Sequence, residues 1–303
     1  MTSLLDAPAA PPEDARPVRA ARSWTAVLGL VPFLGYMLLF LGGPLYFVIS
    51  GALSTPEGLP TFDNVIASIT QPQFQAAFGS SVMISALTAV IGAVFGAFLA
   101  QAVITSAPES PLRRIVSTAS GVLAYFGGVP LAFAFIAALG QTGLATAVLR
   151  GVGVDLYATG FRIDSLTGLA LTYIYFQIPL MVILITPALE GLQPQWREAA
   201  ENLGASSWAY WRHVALPALL PALGGATLVL FGNAFAAYAT ALALTSGSIP
   251  LVPTAIASAL SGNVIANQQN VGLALGFDMV IVIAIVMVGY LWLQRRASRW
   301  APR

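Results

Sequence analysis

From Val214 to Phe277 the chain carries no charged side chain. A run of that length cannot form the outside of a water-soluble domain, where roughly a quarter of residues are charged. The rest of the chain is similar: of 303 residues, 57% are apolar and 8% are charged. Its surface must face lipid, and a helix needs about 20 apolar residues to cross the hydrocarbon core. Six stretches meet that length, at 25–53, 80–104, 115–139, 166–189, 216–244 and 273–293. None alternates apolar and polar residues as barrel strands do. The expected fold is therefore all-α, with six transmembrane helices. Pro32 and Pro44 are the expected bends of the first span.

The charges that exist set the orientation. All 13 basic residues are arginines. With the N-terminus in the cytoplasm, only Arg150 and Arg162 fall outside, and the positive-inside rule then places both termini inside. Residues 1–22, rich in proline, alanine and charge, read as a disordered cytoplasmic tail, and 23–303 as one six-helix domain. Two outer loops are long. Residues 54–79 carry an expected interfacial helix, with Phe62, Val65, Ile66, Ile69 and Phe74 among polar neighbours. Residues 245–272 contain an apolar piece, 252–260, too short to span and expected to lie flat or dip in.

Several chemistries are excluded. Without lysine there is no P-loop to hold ATP phosphates and no Schiff-base amine. Without cysteine there are no disulfides, thiolate metal sites or cysteine nucleophiles. His213 is the only histidine and has no second metal ligand nearby, so no metal, cofactor or catalytic residue is expected. A net charge of +1 with no basic patch argues against nucleic acid. Any ATP must be bound by another chain.

The loop at 190–217, between spans four and five, carries the most specific pattern. Pro194 suits the first turn of a short helix, and Gly204 the left-handed position that ends it. Ser206 or Ser207 can cap a second short helix bearing Trp208, Trp211 and Val214 on one face. The spacing runs Glu198-Ala199-Ala200, three residues, Gly204, nine residues, Val214, one residue, Leu216-Pro217. This resembles the EAA loop of binding-protein-dependent ABC importer permeases, with valine in place of isoleucine. The wider resemblance, to permeases of the MetI-like fold, covers Thr25 to the C-terminus.

That resemblance implies a transport subunit rather than an enzyme. It places the chain in the bacterial inner membrane as a multi-pass protein, and its loop would seat Glu198, Ala199, Ala200 and Gly204 in a separate ATP-binding ABC subunit. Leu216 and Pro217 would pass the motion to span five. The implied partners are two such ATPase subunits, a second permease (the same chain or a related one) and a periplasmic or lipid-anchored substrate-binding protein. An ion-coupled secondary transporter is the alternative, but it would normally carry midplane carboxylates that these spans nearly lack.

Candidates for the substrate path follow from polarity within the spans. Asp278 lies roughly one turn inside the outer end of span six. Asn233 and Tyr238 lie in span five, and Tyr175 and Gln177 in span four. Together they are expected to wall a polar cavity between these spans, in which Asp278 would suit a polyamine. The glycines of 126–130 are expected to serve close helix packing.

Overall fold

The computed structural model describes residues 24–107, 109–261 and 269–297. The expected tail at 1–22 lies outside them. Two compact units result, Met1–Phe47 and Val48–Arg303. Among the described residues six helical stretches are long and apolar enough to cross a membrane.

In the first unit, helix α1 (Trp24–Met37) runs through a five-residue π-helical turn (Leu38–Gly42) into the start of α2 (Gly43–Ala52). The Gly43 N–H donates to the Leu38 carbonyl, five residues back. Pro44 explains the wider turn, because its ring would meet the carbonyl four residues back and it has no N–H to donate. Large apolar side chains from Leu30 to Phe47 are exposed. A helix apolar on every side suits lipid or neighbouring membrane helices.

The second unit is built around three spans: α4 (Pro72–Thr105), α8 (Leu166–Glu190) and α11 (Leu216–Phe235). Gly92 lies against Gln177 and Gly96 against Met181, so α4 and α8 run parallel and close. A Cβ on Gly96 would stand 2.7 Å from the Ile178 carbonyl oxygen, which leaves glycine as the residue that fits. Small residues at such crossings replace the hydrophobic drive that lipid cannot supply. α11 packs on both helices, and its opposite face meets α14 (Gln269–Ala297), with Gly225 against Tyr290 and Gly289 against Leu228.

The outer loops hold two short helices. The first, α3 (Asp63–Thr70), exposes Ile66 and Ile69 and is followed by Phe74, which is buried in α4. Asn64 Nδ2 ties it to the carbonyls of Ala52 and Ser54 at 3.2 and 2.9 Å. The second, α13 (Val252–Leu260), has the expected bounds. Its Val252, Pro253 and Thr254 are buried, and the Val252 N–H donates to Ser81 Oγ at 2.9 Å.

Two spans differ from the expectation. The third runs over Gly128–Gly151 rather than 115–139: α5 (Pro111–Leu123) stops, four residues intervene, and α6 (Gly128–Leu139) begins, with α7 (Leu144–Gly151) after a further turn. Gly128 has φ +72°, which glycine adopts without strain. Nothing lies within 4 Å of a Cβ built on Gly127, so these glycines serve a break in the backbone rather than close packing. The fifth span ends at Phe235 instead of running to 244, and α12 (Ala239–Thr245) follows as a separate piece.

Candidate functional site

The loop between spans four and five is built from local chemistry. Helix α9 (Pro194–Asn202) opens with Pro194 in its first turn, where a missing N–H costs nothing. It closes on Gly204, at φ +77°. The Gly204 N–H donates to the Glu201 carbonyl and the Ala205 N–H to the Ala200 carbonyl, both at 2.9 Å. That pair of bonds is a Schellman motif, which satisfies carbonyls the helix end would leave free. Arg197 and Glu201, one turn apart, pair at 3.0 Å, whereas Glu198 is exposed and has no partner among the described residues.

Ser206 caps the next helix, α10 (Ser207–Tyr210), by accepting from the Ala209 N–H at 3.3 Å. α10 does not end there. A π-helical turn (Trp211–Ala215) carries it without interruption into α11, with the Leu216 N–H donating to the Trp211 carbonyl. The fifth span is thus one continuous helix from Ser207 to Phe235, and Pro217 forces the wider turn as Pro44 does in the first unit. Ala199, Ala200, Leu203, Val214 and Pro217 line a cavity of about 540 Å³ between α9 and the start of α11. Leu203, at 87% exposed, is an apolar knob on this surface that motif reading passed over. So is the ion pair of Arg113 with Glu190, at 3.1 Å, which links the start of α5 to the end of α8.

The five candidates for the path do not converge on one cavity. Gln177 is fully buried, and its Nε2 donates to the Leu230 carbonyl at 3.0 Å, while Oε1 has no partner among the described residues. Tyr175 is half-buried, edge-on to Phe135 at 5.5 Å. Asp278 is buried and accepts from Ser68 Oγ of α3 at 2.6 Å. It borders a recess with Ile69, Gln75 and Phe78 that the other four do not line. Asn233 and Tyr238 are exposed, on either side of the break between α11 and α12.

That break meets the other one. α6 packs along α12, Thr240 Oγ1 donates to the Gly128 carbonyl at 3.2 Å, and Tyr173 Oη donates to the Ala237 carbonyl at 2.9 Å. Two breaks in the helical backbone therefore lie side by side, partly held by side chains. Exposed Tyr125, Phe126, Asn233 and Tyr238 surround them.

Residues 32–299 match the family of binding-protein-dependent transport system inner membrane components. The chain belongs to that family. It is a membrane permease subunit of an ABC importer, with the six-helix, all-α fold of that class, and is not itself an enzyme. Among curated relatives, a probable sulfate transport system permease protein, cysT, of Marchantia polymorpha is 24% identical over 72% of this chain and 71% of its own length. The trehalose transport system permease protein SugB of Mycobacterium tuberculosis is 27% identical over 92% of this chain and 94% of its own. Among solved structures, a bacterial alginate ABC transporter, in complex with an alginate pentasaccharide-bound periplasmic protein, superposes with a TM-score of 0.71. It covers 92% of the permease and 95% of its own chain at 18% identity.

On the loop at 152–165, Arg162 and Asp164 of the permease pair at 2.6 Å. The hydrogen bond from the guanidinium holds the Asp164 carboxyl below its ordinary range. Arg150 likewise pairs with Asp155, at 3.5 Å.

Proposed function

We propose that this permease receives the closing motion of separate ATP-hydrolysing subunits on α9 and transmits it along α11 to a translocation path beside the paired helix breaks. The observation that carries this reading is the unbroken helix from Ser207 through the π turn into span five. A push on α9 reaches α10 through the two residues between Gly204 and Ser207, and α10 cannot move without span five. Exposed Glu198 offers a carboxylate to a basic group on the ATPase. Ala199 and Ala200 are small enough for close approach.

The breaks support a path beside them. Backbone that leaves the helical ladder at membrane depth cannot face lipid and is tolerated beside a water-filled cavity or inside protein. Asn233 and Tyr238 stand beside such backbone, so they are the two of the five candidates placed to meet cargo. Gln177 and Asp278 are engaged in bonds between helices, and Tyr175 packs on an aromatic neighbour.

The arginine bias supports both termini in the cytoplasm, with α9 on the same side. The remaining partners would be a second permease and a substrate-binding protein, as the periplasmic protein of the alginate transporter supports. The cargo would be a small polar solute. A polyamine rests on Asp278 alone, whose carboxylate is already bonded to Ser68, and the named cargoes of the relatives, sulfate and trehalose, do not favour it.

Co-purification with the ATPase subunits tests the coupling. Glu198→Arg should abolish it while leaving membrane insertion unchanged. Transport in vesicles that continued without ATP but collapsed with the proton gradient would overturn the reading.

A further inference from the structure

One recess in the second unit lies away from the helix breaks. It is a groove of about 760 Å³ between α4 and α11, with α8 as its floor. Its walls are Val94, Ala97 and Phe98 on one side and Leu219 and Leu223 on the other, over Ile185. Phe98 is 72% exposed, so the groove opens outward rather than into the core. An apolar recess of this kind does not hold ordered water.

One end is different. Gln101, Trp208, Trp211 and Arg212 line the groove where it nears α9. The guanidinium and both indole N–H groups can only donate, and none of them has a hydrogen-bond or ion-pair partner among the described residues. No carboxylate lines the groove. Along α4 the lining runs from Val90 to Gln101, about 16 Å at the helical rise. That is close to half the roughly 30 Å hydrocarbon core, the depth of one leaflet.

We infer that this groove holds an anionic phospholipid, its acyl chains between α4 and α11 and its phosphate among Arg212, Trp208 and Trp211. Length, apolar walls and a cluster of donors without protein partners at one end describe an amphiphile with a negative head. With no carboxylate in the groove, nothing holds the ammonium of a zwitterionic head. Basic pockets between spans on the cytoplasmic side take anionic heads in this way. The inference concerns the lipid boundary and is independent of cargo and of ATPase docking.

The test is thermal unfolding of the delipidated, assembled transporter, titrated with phosphatidylglycerol or phosphatidylcholine. One arginine near the surface should give about a fivefold lower half-saturating concentration for phosphatidylglycerol. Arg212→Gln should remove that preference, and Ala97→Phe, which fills the groove, should weaken both lipids together. Should Arg212→Gln fail to fold, Trp208→Phe removes a donor and should narrow the preference. Equal response to the two lipids in the native protein would overturn the inference. So would an Ala97→Phe protein that binds as the native one does, or a disulfide formed under an added oxidant between two permease copies that both carry Phe98→Cys, which would make the groove a protein interface.

Discussion

Gly204 separates backbone geometry from packing unusually well. Its φ is +77°, and a Cβ built there meets nothing within 4 Å. Gly204→Ala therefore carries only the cost of holding an L-residue in the left-handed region, about 1 kcal/mol. That corresponds to roughly a fivefold drop in the equilibrium constant for properly terminated α9. Gly204→Asn should cost a few tenths of that, because asparagine tolerates the left-handed region. Gly204→Pro is different in kind. It fixes φ near −65° and deletes the N–H that donates to Glu201 at 2.9 Å, so the Schellman motif cannot form. The assay is a binding titration of purified ATPase subunit onto immobilised permease. The expected affinities fall in the order glycine, asparagine, alanine, with alanine weaker by at most about fivefold and proline without measurable binding. If alanine were as damaging as proline, the position would be a contact surface rather than a backbone switch. If both bound as the native protein does, the left-handed cap would have no part in coupling.

Three further outcomes follow from the bundle and the outer loop. Gly96→Leu should destabilise the permease by about 1–3 kcal/mol or more in thermal unfolding, because α4 and α8 must separate to admit it. Asp278→Ala should cost about 0.5–1.5 kcal/mol, the net worth of one hydrogen bond, because the Ser68 hydroxyl can still donate to the Val65 carbonyl at 2.8 Å, whereas Asp278→Asn keeps an acceptor there and should retain most of the stability. The Arg162–Asp164 pair stabilises its loop above the ordinary carboxylate range, and that contribution fades as pH falls through the lowered Asp164 pKa. Because the pair is exposed, Asp164→Asn should leave the melting temperature at pH 7 unchanged within error.

What the sequence reveals and what it hides divide along a physical line. The ends of α9, the Ser206 cap and the bounds of α13 are legible because local chemistry decides them: proline at a first turn, glycine at positive φ, a hydroxyl facing an unbonded N–H. The six apolar runs are legible because lipid demands them. The breaks are not, because a run that must be apolar throughout reads the same whether the helix continues or stops. Gly127 and Gly128 leave a faint signal at the first break. The second, at 236–238, has none, since Ala236, Ala237 and Tyr238 are all compatible with helix. What holds that backbone are bonds from distant residues, Tyr173 to Ala237 and Thr240 to Gly128, and no local pattern records them. The same is true of Asp278, whose partner lies 210 residues away.

The aim of α9 depends on the width of one turn, the π turn at Trp211–Ala215. A π turn holds one residue more than the α ladder would need, and each residue of an α-helix turns about 100°. Were Trp211–Ala215 to wind as regular α-helix with no residue removed, everything upstream would swing by about that angle around the axis of α11. The ATPase would then meet a different side of α9, although Glu198, Ala199, Ala200 and Gly204 were all intact. Pro217 guards the setting, because its ring would strike the His213 carbonyl in a regular helix. The width of this turn thus matters to the orientation of α9 as much as the side chains in the loop.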